Sequence, residues 1–208
     1  MSGTGLFISF EGIDGSGKST QARRLAESLR GAGRDVVLTR EPGGSEGAEE
    51  IRKLVLEGDP DRWSAETELL LFTAARRDHL ERLILPALEA GKLVICDRYA
   101  DSTRMYQGLR GAGLREKVDL LHDLMIGREP DLTVLVDMDP EEGLKRALAR
   151  QGSEERFEQF GADLQAQMRA GFLALAKAAP GRYVVVDGGR DEDTVAREIA
   201  GIVTSRLT

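Results

Sequence analysis

Leu6-Phe7-Ile8-Ser9-Phe10-Glu11-Gly12-Ile13-Asp14-Gly15-Ser16-Gly17-Lys18-Ser19-Thr20 runs from a short apolar segment through a glycine-spaced loop into helix-forming sequence. Gly12 to Ser19 fits the pattern G-x-x-x-x-G-K-[ST], in the strand, loop, helix context that a phosphate-binding loop requires. Glycines let the backbone curl so that successive N–H groups of Gly12, Ile13, Asp14, Gly15, Ser16 and Gly17 point at phosphate oxygens, and the following helix adds the positive end of its dipole. Lys18 then bridges the β- and γ-phosphates, the Ser19 hydroxyl suits Mg²⁺, and Thr20 reaches the α-phosphate. An ordinary glycine-rich turn needs only the glycines, and the full pattern in its context sets that reading aside.

Working outward, four more apolar runs rich in β-branched residues follow: Val36 to Thr39, Leu93 to Cys96, Leu132 to Val136 and Tyr183 to Val186. Helical spacing fills the intervals, at Gln21 to Leu29, Ala65 to Ala90, Arg115 to Ile126 and Glu141 to Arg150. Such alternation predicts an α/β fold, a five-stranded parallel sheet with helices on both faces, in a single domain over residues 1–208. Ligands of such sheets bind beyond the carboxyl ends of the strands. The polar residues that follow the strands directly, Glu11, Arg40, Asp97, Asp137 and Asp187, are expected to gather there. Pro86 predicts a kink or break near Leu85.

Composition narrows the classes. The 36 acidic side chains exceed the 29 basic ones for a net charge of −7, which opposes nucleic-acid binding by charge alone. One cysteine and two histidines are too few for an internal disulfide or a usual structural zinc site. No segment reads as a secretion signal or membrane span, so a soluble protein of a reducing cytoplasm is expected.

The third strand ends Val94-Ile95-Cys96-Asp97-Arg98. Asp97 there suits Mg²⁺, and the Arg98 fork matches phosphate oxygens; alone, the pair also suits a surface turn. No Asn-Lys-x-Asp guanine signature follows a late strand, which disfavours a nucleotide switch. Lys145, Arg146, Arg150 and Arg156 make residues 146–158 read as a closing lid that brings positive charge and excludes water. A solvated helix face with paired charges is the other reading, because Glu154, Glu155 and Glu158 lie nearby.

Taken together, the residues resemble the thymidylate kinase family over essentially the whole chain. The likeness is carried by Phe10 to Ser19, by Thr39-Arg40-Glu41-Pro42-Gly43-Gly44, by Leu71-Phe72-Thr73-Ala74-Ala75-Arg76-Arg77-Asp78-His79, by Asp97-Arg98-Tyr99 and by Ser102-Thr103-Arg104-Met105-Tyr106-Gln107. It implies a P-loop nucleoside-monophosphate-kinase-like fold of three layers with a lid, ATP as phosphoryl donor, Mg²⁺ as cofactor, dTMP as acceptor and a homodimer. By the same resemblance Phe72 stacks on the thymine, Arg76 donates to O4, and Thr103 and Gln107 meet the N3–H and O4 edge. Tyr106 crowds a 2′-hydroxyl, Arg98 grips the dTMP phosphate, Arg40, Glu41 and Pro42 line its site, and Glu11 or Asp14 lies near acceptor and metal. A loop without Arg or Lys between Gly12 and Gly17 implies catalytic arginines in the lid, with Arg150 and Arg156 ahead of Arg146. On residue type alone core packing is the better reading of Phe72, and Thr103 and Gln107 equally suit any polar helix face. A kinase for another nucleotide or nucleoside, and a non-catalytic ATP-binding module, are the alternatives.

Overall fold

Parallel strands buried on both faces need continuous apolar sequence, and the five runs supply it. The computed structural model describes residues 5–59, 62–149 and 162–207. In chain order the elements are β1 (Phe7–Glu11), α1 (Lys18–Gly31), β2 (Val36–Arg40), α2 (Glu46–Leu56) and α3 (Ala65–His79). A π-helical turn, Leu80–Ile84, leads from α3 into α4 (Leu85–Glu89), followed by β3 (Leu93–Asp97), α5 (Ala100–Tyr106) and α6 (Leu114–Met125). The chain closes with β4 (Leu132–Asp137), α7 (Pro140–Leu148), α8 (Ala162–Ala178), β5 (Tyr183–Asp187) and α9 (Glu192–Arg206).

All strand pairs are parallel, in the order β2-β3-β1-β4-β5. Strand β1 is therefore central, flanked by β3 and β4, and the loop after it opens at the point where the strand order diverges. Register aligns Arg40 and Phe10 with Asp97, and Asp137 with Asp187, so the polar strand ends do share one edge. Alternate residues of β1 serve opposite faces. Ile8 and Phe10 pack with Leu25, Ala26 and Ile199 of α1 and α9, whereas Phe7 packs with Leu80, Ile84 and Val94. Between these layers the buried hydroxyls of Ser9 and Thr133 satisfy each other at 2.9 Å.

Each predicted strand is present and extends one residue further, through its polar end. At Pro86 the outcome is softer than a break. The turn before it widens to π-helix, and helical backbone resumes at Leu85; a wider turn relieves the missing N–H and the clash of the proline ring with the preceding turn. Caps set other boundaries: the Asp139 carboxylate accepts from the backbone of Glu141 and Glu142, and Asp191 from Thr194. Of the lid segment at 146–158, residues 150–158 lie outside the described residues, and Arg150 and Arg156 with them.

Candidate active site

The loop after β1 is closed by backbone that only glycine tolerates well. Gly12, Gly15 and Gly17 have φ of 142°, 76° and 93°. A Cβ on Gly15 would lie 1.9 Å from the carbonyl oxygen of Gly143 in α7. Lys18 folds back over this loop, its Nζ 3.1 Å from the Ile13 carbonyl and 3.8 Å from Asp14 Oδ1. Burial, then the neighbouring Arg98 guanidinium, push its pKa down to about 8, against the pull of Asp14, Asp97 and Glu11.

Lys18, Ser19, Asp97, Arg98, Asp14, Arg40 and Arg52 line one polar cavity. Asp97 Oδ1 is buried there and takes no hydrogen bond from the described residues. An orphaned carboxylate oxygen beside a small hydroxyl and a phosphate loop is an oxygen donor set that fits Mg²⁺.

A second cleft adjoins the first. Its walls carry eight of the nine residues that the resemblance gave to the acceptor: Glu41, Pro42, Phe72, Arg76, Arg98, Thr103, Tyr106 and Gln107; the ninth, Arg40, lines the first cavity instead. Asp14, Leu56, Tyr99 and Ser102 complete it. Phe72 and Arg76, four apart on α3, reach the cleft together. Arg76 is held by buried partners: Nε donates to Glu41 Oε2 at 2.7 Å and Nη2 to Thr103 Oγ1 at 2.9 Å. Glu41 Oε1 lies 3.1 Å from His79 Nδ1, and His79 Nε2 lies 2.8 Å from Thr39 Oγ1. Glu41, His79 and Cys96 come close enough to suggest a metal cluster. The histidine nitrogens and both Glu41 oxygens are already engaged, so Thr39, His79 and Glu41 form a relay supporting Arg76, and the Cys96 thiol is hydrogen-bonded elsewhere.

Arg98 stands where the cavities meet. It is the sole non-glycine residue with positive φ (67°) among the described residues, and Cys96 Sγ donates to its carbonyl at 3.0 Å. Left-handed backbone on a non-glycine residue marks a position held for its side chain. The guanidinium pairs with Asp14, donates to Ser102 Oγ and Tyr106 OH at 3.1 Å each, and lies over the Tyr106 ring at 4.9 Å. Tyr106 OH donates to Asp14 Oδ2 at 2.6 Å. Burial raises the pKa of Asp14, but Arg98 and Lys18 more than offset it, leaving the carboxyl below its ordinary value.

Glu11 sits elsewhere. It is fully buried beneath the site, accepting from Tyr99 N–H and Ser102 Oγ at 2.7 Å each, and lines neither cavity. Burial and then Asp101 raise its pKa to about 8. Thr20 opens onto a separate surface groove with Arg23 and Arg24. Arg146 turns to Glu142 and the Gly188 carbonyl. Sequence reading passed over Ser102, Arg52, Glu68 and His79 as site residues. Ser102 and His79 stood inside quoted motifs, whereas Arg52 and Glu68 gave no local signal.

A phosphate loop on the central strand, sharing a wall with a second, guanidinium-lined cleft, defines a P-loop nucleoside monophosphate kinase. The family profile "Thymidylate kinase" matches residues 10–199. A thymidylate kinase of Ruegeria pomeroyi is 74% identical over 207 residues, covering 100% of this chain and 98% of the relative. One of Dinoroseobacter shibae is 66% identical, covering 98% and 99%. The crystal structure of thymidylate kinase from Ehrlichia chaffeensis superposes with a TM-score of 0.75 at 37% identity, covering 96% of this chain and 98% of that one. The chain belongs to the thymidylate kinase family.

Proposed function

We infer that the protein phosphorylates dTMP to dTDP with ATP and Mg²⁺, a step of dTTP synthesis, by in-line transfer across the wall that its two cavities share. The observation that carries the mechanism is that wall: Asp14, Glu41 and Arg98 line both the phosphate-loop cavity and the acceptor cleft. Donor and acceptor phosphates seated in the two cavities meet at Arg98. Phosphoryl transfer goes through a loose transition state, so positioning and charge neutralisation are the protein's task.

Lys18 and the loop N–H groups hold the β- and γ-phosphates, and Arg98 holds the acceptor phosphate in line. Ser19 and Asp97 are the residues that would hold Mg²⁺, which when bound neutralises charge on the donor phosphates. Arg76, Thr103 and Gln107 read the thymine edge, Phe72 stacks on the ring, and Tyr106 crowds the 2′ position. Asp14 orients Arg98 and Tyr106. Glu11 acts from beneath, holding the start of α5 through Ser102 and Tyr99. Arg150 and Arg156 supply further positive charge from the lid.

The protein works as a homodimer in the cytoplasm. Among the described residues no helix is long and apolar enough to cross a membrane. Support for pairing comes from α6, where Leu120 and Leu124, one turn apart, are 66% and 74% exposed, and from exposed Leu70 on the α3 that packs against it. Sedimentation equilibrium at micromolar protein checks the dimer.

A coupled ADP-release assay with ATP and Mg²⁺ tests the reaction on dTMP, dUMP, UMP, dCMP, dGMP and thymidine. Marked preference for dTMP is expected. Preference for another acceptor would discard the thymine pocket, and silence on all six would leave an ATP-binding module.

A further inference from the structure

Gln107 lines the acceptor cleft just past the end of α5, and its side-chain amide is held from behind. Nε2 donates to Glu68 Oε1 at 2.9 Å, and the same oxygen accepts from Arg110 Nη1 at 2.9 Å. Glu68 lies on α3, fully buried, and Gln107 is 1% exposed. Neither residue can swing into solvent to change partner.

A primary amide is ambivalent, since one end donates and the other accepts, whereas an ionised carboxylate can only accept. Beside Glu68, whose buried charge is matched by Arg110, the amide has one good orientation. Turning it over would set its oxygen against the carboxylate with no proton between the two acceptors. Its NH2 therefore faces Glu68, and Oε1, to which no described residue donates, is the end left for the cleft.

We infer that Glu68 is a specificity-determining positioning residue: it locks the Gln107 amide with its oxygen toward the base, so the cleft accepts an imide N3–H and refuses the bare N3 of cytosine. The inference rests on the thymine-pocket reading above. Arg76 works the same way in the opposite sense. Its Nε and Nη2 are committed to Glu41 and Thr103, and Nη1, which has no partner among the described residues, offers a donor. A donor and an acceptor side by side match O4 and N3–H of thymine and mismatch the amino group and bare N3 of cytosine at both points. Two buried carboxylates bonded to the base-reading groups, Glu41 and Glu68, thus write the pattern that those groups display.

Glu68→Gln tests this. It conserves shape but offers either an oxygen or an NH2 to Gln107, which frees the amide to turn. Arg110, a quarter exposed, can solvate its lost charge. The ratio of kcat/KM for dTMP to that for dCMP should fall about tenfold, through a higher KM for dTMP, with kcat at saturation within about twofold. The swapped pair Glu68→Gln with Gln107→Glu restores an acceptor at 107 held by a donor at 68, and should recover most of the ratio. A merely structural role would lower activity on both nucleotides together, leave the ratio intact and give no recovery in the swap; that result overturns the inference. Should the single variant fail to fold, the swap decides alone: a ratio near that of the parent supports the lock, and a tenfold loss overturns it. A parent enzyme that does not itself prefer dTMP over dCMP would overturn the thymine-pocket reading, and this inference with it.

Discussion

The two halves of the cleft reach their geometry by different means. On the donor side, Gly12 to Ser19 forms the cavity mainly from its own backbone, and the glycine dihedrals do the shaping. On the acceptor side, the working groups come from the β2–α2 connection, α3, the β3–α5 connection, α5 and the residue after it, and the polar ones are held by other side chains: Arg76 by Glu41, Gln107 by Glu68, Arg98 by Asp14. Even α5 is tethered this way, with Arg104 bonded to Asp101, Asp119 and Glu129 at 2.6, 2.8 and 2.6 Å. A backbone site is robust to side-chain loss except at its one charged arm. A side-chain site transmits each loss to its neighbours.

The largest effect should come from that arm. Lys18→Met should lower kcat by on the order of 10³-fold while the melting temperature holds or rises, since a buried ammonium is removed from a frame that does not depend on it. A large drop in thermal stability would break the comparison. The same lysine predicts a proton linkage. Free Lys18 titrates at about 8 and phosphates pull it back up, so ATP binding at pH 8.5 should take up protons, and affinity should weaken as pH climbs past 8. Calorimetry in two buffers of different ionisation enthalpy reads this directly.

Next comes Arg98→Lys, which keeps the charge and loses the fork that spans Asp14, Ser102 and Tyr106. A rise in KM for dTMP of about 10- to 100-fold is expected, with KM for ATP nearly unchanged. Equal damage to both would mean that the halves are not separable at this residue.

Glu11 gives a stability test with a defined sign. Its folded pKa of about 8 lies above the ordinary 4.5, so the folded chain keeps a proton that the unfolded chain releases. The stabilisation is complete below about 4.5 and is lost as pH rises toward 8, by at most ~1.4 kcal/mol per pH unit. Glu11→Gln should flatten that slope in urea titrations run from pH 5 to 8.5. An unchanged slope would place the titration elsewhere.

Tyr106→Phe should do least. The ring stays against Arg98, and the hydroxyl bonds to Asp14 and Arg98 go. KM for dTMP should rise a few fold, about what one or two hydrogen bonds contribute, while the preference for deoxyribose over ribose persists because the ring, not the hydroxyl, crowds the 2′ position.

The same contrast decides what could be read before the structure. Strand cores and the phosphate loop are contiguous in the chain, so apolar runs and glycine spacing revealed them to within a residue or two. The acceptor cleft is assembled from segments as far apart in the chain as Glu41 and Gln107. Residue type alone favoured a core place for Phe72 and any polar face for Gln107, and only resemblance gathered them. Glu68 lay beyond both. A buried glutamate in a helix looks like every surface glutamate until its partners at 107 and 110 are known. Glu11, one residue before the loop, was legible as acidic and adjacent, but its withdrawal beneath the site depends on Ser102 and the Tyr99 backbone, more than 85 residues away.

Gly15 and Gly143 abut so closely that a single methyl on the first would overlap the carbonyl oxygen of the second. For anyone building a library to retarget the enzyme, the codons therefore divide sharply. A Cβ on Gly143 would in turn lie 2.8 Å from the Asp14 carbonyl oxygen, so replacements at 15 and 143 force the backbone to shift, and randomising those codons mostly dilutes the pool. Those at 68, 103 and 107 can be varied together, and a new acceptor is to be sought in that small combinatorial set.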